Sequence, residues 1–440
     1  MRLIRSLLIT SMLFLATVAS AGTKSKNPQF AYVAGAHSVS AYRIDAATGS
    51  LAPVPGSPFV DDSNTTIEVV DIKYSTNAAG TFAYVMEEDT ATRFTFGDFS
   101  VYRINTTTGA LTPVSYIEDG DGLSPSSLII NPAGTFAYVI NQGIRSENGS
   151  ITAYRINAAT GSLTPVTGSP FAAREYPYSL TFNTAGTFAY VVTLGHPGRH
   201  NGSITAYRVN TATGVLTLVP SGSLATGVDS EFLGVTFNSA GTVAYVMTPG
   251  EATHQGRVSA YRVNATTGAL MHVPGSSLET GIDPSYITIN PAGTFAYVVN
   301  KYGNGSVSVY GIDAATGGLA PVHGSPFMAG HSPQAITINA AGTFAYIKNI
   351  SNGNSSVSVY SINATAGGLS PVQGSSFATG GDRSGDLVIN SSGTFAYVDD
   401  SDGDVIFGYC INAVTGLLTN IDDSPFNAGA DPGSFMIVQP

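Results

Sequence analysis

Ser285-Tyr-Ile-Thr-Ile-Asn290-Pro-Ala-Gly293-Thr-Phe-Ala-Tyr297-Val-Val-Asn300 holds two short β-like runs joined by a four-residue turn, and its second half recurs along the chain. Asn, Pro and Gly at the first, second and fourth places of that turn suit type I geometry, because Pro fixes φ and Asn can bond its own backbone. The phrase Gly-Thr-Phe-Ala-Tyr ends at Tyr84, Tyr138, Tyr190, Tyr297, Tyr346 and Tyr397. Val243 replaces the Phe before Tyr245, and Phe30-Ala-Tyr-Val33 opens the series without its turn. Successive tyrosines of this series, starting at Tyr32, stand 52, 54, 52, 55, 52, 49 and 51 residues apart. A period near 50 marks a propeller or a solenoid.

Two more runs complete the period, Ser306-Val-Ser-Val-Tyr-Gly-Ile312 and Gly318-Leu-Ala-Pro-Val322, joined by Asp313-Ala-Ala-Thr-Gly317, whose Gly can take the left-handed conformation of a hairpin loop. Four strands per repeat is one propeller blade. The runs are apolar on both faces, as expected where a sheet is sandwiched between two neighbours, and no helix is needed. The first repeat begins at its second strand, while Gly433-Ser-Phe-Met-Ile-Val438 follows the last fourth strand and reads as a first strand. The sequence therefore predicts an all-β propeller of eight four-stranded blades in one domain, residues 30–440, closed by the C-terminal strand joining the N-terminal blade. The competing count is seven blades with one irregular repeat outside the ring.

Composition narrows the partners. The 440-residue chain is 11% charged, with 50 Gly, 23 Pro and a formal net charge of −11, so it lacks the basic field that draws nucleic acid or anionic lipid. A single cysteine, Cys410, excludes an intramolecular disulfide framework and a Cys-based zinc site. Arg2 and Arg5, the apolar run Leu7 to Val18 and Ala19-Ser20-Ala21 have the charged start, hydrophobic stretch and small-residue cleavage site of a secretory signal peptide. Residues 1–21 are expected to be removed and 22–29 to form a linker. The mature protein is then expected to be a secreted or periplasmic monomer without a membrane span.

Tyr138-Val-Ile-Asn141, Tyr297-Val-Val-Asn300, the Asn-Pro-Ala-Gly turns and the Tyr-x-Ile/Val-Asn/Asp-x-x-Thr-Gly-x-Leu hairpins resemble the bacterial β-propeller lactonase family. That family includes 6-phosphogluconolactonase-like and carboxymuconate-cyclising enzymes, and surface proteins with Tyr-Val-Thr-Asn repeats. The resemblance covers nearly all of the mature chain and lies in strands and turns. It implies a fold and a lactonase-like activity, and it carries over no catalytic residue. Its enzymes are typically seven-bladed, a departure from the count made here.

In a propeller the second-to-third and fourth-to-first connections share one face. In this chain they are the long ones that differ between blades, such as 87–98, 194–201 and 249–256. Function concentrates on variable loops held by a rigid scaffold. Arg43, Arg103, Arg155, Arg208 and Arg262 share one third-strand slot and read as structural, with packed stems and heads at the blade edge. Opening a lactone needs a base to activate water and donors for the oxyanion. Arg174, Glu231 and Arg383 lie near the starts of first strands, and His196, His200 and His254 lie in loops of neighbouring blades; these six are the catalytic candidates. The spacing of His196 and His200 suits a metal only on a helix, and here it falls in a Gly/Pro loop. Asp400-Ser-Asp402-Gly-Asp404 alternates carboxylates around a Gly, which reads either as a calcium loop or as a solvated Asp-Gly turn. No other cofactor is required. The expected function is a lactone hydrolase of the carboxylic ester class, or a lactone-forming cycloisomerase, acting on a small-molecule lactone at the channel mouth. The alternative is a non-catalytic scaffold presenting its loops to an extracellular glycan, protein or envelope component.

Overall fold

The computed structural model describes residues 28–439 apart from 36–37, 61–66, 78–79, 90–96, 119–124, 144–147, 195–201, 227–233, 249, 251–254, 382–383 and 386. The proposed signal peptide lies outside the described residues. All regular structure among them is β, arranged as eight small antiparallel sheets. Each sheet runs in the order first, second, third and fourth strand, and first strands of neighbouring blades lie against one another at the inside of the ring. The blades span 67–118, 125–175, 177–225, 234–282, 284–328, 333–381 and 388–427, and the remaining blade joins the two ends of the chain. There Gln29–Gly35 pairs with Ser38–Ile44 on one side and with the C-terminal strand Ser434–Val438 on the other, Tyr32 opposite Met436. We number this closing blade 1 and the others 2 to 8 along the chain. The expected count and the expected closure both hold.

The hydrophobic core is not one mass but eight, one in each seam between neighbouring blades. Phe30, Tyr32 and Val39 of blade 1 pack with Val85 and Ile104 of blade 2, and Phe344 and Tyr346 of blade 7 pack with Leu387 and Tyr409 of blade 8. The ring closes through Tyr42 and Ile44 against Phe395 and Tyr397. The fourth strand departs from the single run expected. In blades 1, 3 and 6 it is interrupted by Gly-Ser-Pro, and in blade 8 by Asp423-Ser-Pro425, as where Leu319–Pro321 stops and Phe327–Met328 resumes. Pro has no N–H to continue the ladder, and the Ser325 hydroxyl accepts instead from Val309 N at 2.8 Å.

Each seam is stapled by the residues of the repeat. The buried hydroxyls of Tyr32, Tyr84, Tyr138, Tyr190, Tyr297, Tyr346 and Tyr397 donate to the carbonyls of Gly109, Gly161, Gly214, Gly268, Gly367, Gly416 and Gly49 at 2.6–3.1 Å. Every acceptor is the Gly of the next blade's third-to-fourth hairpin. That Gly has positive φ and lies on the Phe two residues before the Tyr: a Cβ on Gly367 would stand 2.4 Å from Phe295 Cδ1. The third-strand arginines complete the staple. Arg103, Arg155 and Arg208 lie over the rings of Phe82, Phe136 and Phe188 at 4.7, 4.7 and 5.0 Å, and donate to the hairpin carbonyls of Ala159, Ala212 and Thr266. Arg262 does the same to Ala315 and Thr316. These arginines are structural, as their slot suggested.

Candidate functional site

The two faces of the ring differ in chemistry. One carries the short repeated turns, whose polar groups are consumed locally. Asn290 Oδ1 accepts from the backbone N of Thr294 and Phe295, both at 2.9 Å, and the same pattern recurs at Asn131, Asn183, Asn238, Asn339 and Asn390. That face presents little beyond itself. The opposite face carries the long connections.

On this long-loop face four blades enter their first strand through a strained residue. Tyr176, Asp283, Ser332 and Asp431 have φ of 52°, 53°, 43° and 46°, and each precedes a proline. A non-glycine residue in the left-handed region costs about 1–3 kcal/mol and persists only where its surroundings impose it. Here the imposition is visible. The carbonyls of Tyr176, Asp283 and Ser332 accept from Leu194, Lys301 and Ile350 N at 3.0, 2.9 and 3.2 Å, which ties the end of each second strand to the head of the first. Burial raises the Asp283 carboxyl above the ordinary carboxylate range, against the opposing pull of the Lys301 ammonium.

The Asn that ends the Tyr297-Val-Val-Asn300 phrase is a clamp between blades. Asn300 Nδ2 donates to the Ser306 and Ser308 hydroxyls of its own blade at 3.1 and 3.0 Å, and its Oδ1 accepts from Gly281 N of the preceding blade at 2.9 Å. Asn141 Nδ2 similarly donates to Ser150 and Thr152. In blade 8 the place is taken by Asp400, whose Oδ1 accepts from Gly381 N at 3.1 Å. Burial raises its carboxyl above the usual range, with backbone amides opposing.

One step earlier in the same strands the repeat breaks. Two residues after the Tyr stand Ala34, Met86, Ile140, Val192, Met247 and Val299 in blades 1 to 6, but Lys348 and Asp399 in blades 7 and 8. Both charged residues are buried, at 8% and 3% exposure. Lys348 Nζ donates to the carbonyl of Ser384 at the head of the next blade, and the buried Ser384 hydroxyl has no partner.

Of the six catalytic candidates, only Arg174 falls among the described residues. It is exposed on the outermost strand Phe171–Glu175, near the Tyr207 hydroxyl, which donates to Ala172 O at 2.9 Å. His196, His200, His254, Glu231 and Arg383 lie outside the described residues. The described histidines, His272, His323 and His331, are exposed, and His272 meets Tyr261 edge-on at 5.4 Å. The Asp400–Asp404 hairpin forms as expected, but its carboxylates go to amides: Asp404, at φ 54°, accepts from Asp431 N at 2.6 Å. Among the described residues no group of three His, Cys, Asp or Glu side chains is placed to hold a metal ion. The Asp400 and Asp404 carboxylates thus hold the backbone amides of Gly381 and Asp431. Lys348 and Asp399 carry a different signal, a break in the repeat rather than a place in a loop.

A family described as lactonase, 7-bladed β-propeller, matches residues 34–224, 192–324 and 320–431. None of the curated proteins compared with the chain matches it. Among solved structures, the periplasmic gluconolactonase of Pseudomonas aeruginosa superposes with a TM-score of 0.56 at 17% identity, over 84% of this chain and 100% of its own. A candidate 6-phosphogluconolactonase of Bacteroides uniformis gives 0.53 at 19%, over 77% and 95%. One of Bacteroides fragilis gives 0.52 at 17%, over 95% and 99%. At these identities the likeness is one of fold. The described seven blades contrast with the eight sheets and eight seams of this ring.

Proposed function

The chain belongs to the lactonase family of β-propellers, and on that premise we propose that it hydrolyses or isomerises a lactone at the channel mouth of its long-loop face, outside the cytoplasm. The observation that carries this reading is the departure from the repeat in blades 7 and 8. There a buried ammonium and an unpartnered hydroxyl occupy the head of the seam where the other blades place apolar side chains. Local rules are broken where function needs them broken. A ring-opening step develops negative charge on the carbonyl oxygen, and preorganised donors in a water-poor seam stabilise it far better than donors in bulk water. The four left-handed residues before proline hold the heads of their strands in fixed positions around that mouth, which is the rigidity a positioned substrate needs. An extracytoplasmic location is supported by the signal-like first 21 residues and by the fold shared with a periplasmic gluconolactonase. No helix among the described residues is long and apolar enough to cross a membrane.

The test is acid release from a panel of sugar, aliphatic and muconate-type lactones by the purified protein, measured against the spontaneous rate. Saturable turnover of one class supports the reading. No rate above background on any of them overturns it and leaves the ring as a binding scaffold for a glycan, protein or envelope component.

A further inference from the structure

We propose that Lys348 and Ser384, at the seam of blades 7 and 8, form an anion-binding site that takes the carboxylate of a sugar acid. Its motive is an imbalance of donors and acceptors. A buried ammonium needs its N–H groups bonded, since leaving a charge uncompensated away from water costs several kcal/mol. Lys348 directs one N–H to the Ser384 carbonyl, and among the described residues no carboxylate stands within ion-pair reach of its Nζ. Ser384 is 5% exposed and its Oγ has no partner. This Ser stands at the head of the first strand, bridged to Asp400, in the place that Pro284 and Pro333 take in blades 6 and 7. Two neighbouring residues therefore break the repeat together, both toward hydrogen-bond donation. An acceptor-rich anion is the group that completes them.

The surroundings select the anion. Asp399 and Asp400 are both buried on the adjoining strand end of blade 8. Beside them a phosphate dianion meets about twice the repulsion that a monoanionic carboxylate does, and the carboxylate's two oxygens match one ammonium and one hydroxyl. The choice of a sugar acid, the product of opening a sugar lactone, rests on the lactonase reading above. The carboxylate requirement rests on the seam alone.

Isothermal titration of the purified protein with sodium D-gluconate tests this, with D-glucitol as the uncharged counterpart and inorganic phosphate as the competing anion. Gluconate is expected to bind at least about tenfold more tightly than either, the worth of a charge-assisted hydrogen bond. Lys348→Met puts into blade 7 the residue type that Met86 and Met247 supply in blades 2 and 5. It is expected to weaken gluconate binding at least about tenfold while the melting temperature stays level or rises. Ser384→Ala, which leaves the Lys348 acceptor in place, is expected to weaken it about two- to tenfold. Equal binding by wild type and Lys348→Met, no binding of gluconate by the wild type, or phosphate binding as tightly as gluconate overturns the proposal. The two readings fail separately. Lysine-dependent gluconate binding without lactone turnover keeps the site and removes the activity, whereas turnover with gluconate binding indifferent to Lys348 keeps the activity and removes the site.

Discussion

Gly367→Ala tests whether the seams, rather than the blades, hold this ring together. Two costs can be separated by choice of control. Gly367 has φ +73°, and an alanine there pays about 1–2 kcal/mol for the left-handed backbone. Its Cβ would also stand 2.4 and 2.6 Å from Cδ1 and Cε1 of Phe295, a ring held between blades 6 and 7 with nowhere to retreat. Overpacking of that kind adds about 1–3 kcal/mol, and moving the hairpin away strains the 3.0 Å bond from the Tyr297 hydroxyl to the Gly367 carbonyl. Gly293 has nearly the same φ, +71°, and nothing within 4 Å of its Cβ position. Gly293→Ala is therefore expected to lose about 1–2 kcal/mol and Gly367→Ala about 2–5 kcal/mol. Urea denaturation with linear extrapolation reads both on one scale. If the two variants unfold at the same urea concentration, the contact between hairpin and ring contributes nothing and the staple is decoration.

Tyr245 is the one repeat tyrosine whose buried hydroxyl has no partner, in the blade where Val243 replaces Phe. Tyr245→Phe is thus expected to be neutral or stabilising, while Tyr297→Phe loses about 0.5–1.5 kcal/mol; equal losses in urea midpoint would refute the assignment. Burial pushes the hydroxyls of Tyr245, Tyr310 and Tyr346 up to about 12 from an ordinary 10.0. The unfolded chain releases these protons near pH 10 and the folded one holds them, so the stability they confer is whole below pH 10 and lost as pH climbs to about 12. A urea midpoint that stays flat over that range contradicts this. Removal of Pro432–Pro440 takes away the strand paired with Gln29–Gly35 and is expected to lower the melting temperature; an unchanged melt would mean that the ring does not depend on that closure.

The fold was legible because a propeller writes each structural decision eight times. The spacing of Tyr32 to Tyr397 gave the blades, Asn-Pro-Ala-Gly the turns, and Ser434–Val438 the closure, since each depends on residues close in sequence or on a count. The staples were not legible, although every member of them was in view. Tyr297 bonds a hairpin 70 residues away, more than one period ahead, so its partner belongs to the next blade and appears only once the sheets stand side by side. The asparagine of Tyr-Val-Val-Asn300 is a clamp to Gly281, illegible in the sequence for the same reason. The candidate site was less legible than the fold. Polar residues in loops stand out because loops carry function, yet loops are also where polar residues go without any function. Arg174, drawn from that set, is found exposed on an outer strand. Lys348 and Asp399 occupy strand slots that six blades fill with Ala, Met, Ile or Val, and a charge there must be compensated or it destabilises the seam. Read down the columns of the repeat rather than along the chain, that anomaly is visible before any coordinates. In a repeat protein the residue that departs from its column under an energetic penalty is a stronger pointer to chemistry than the residue that is polar where polarity costs nothing.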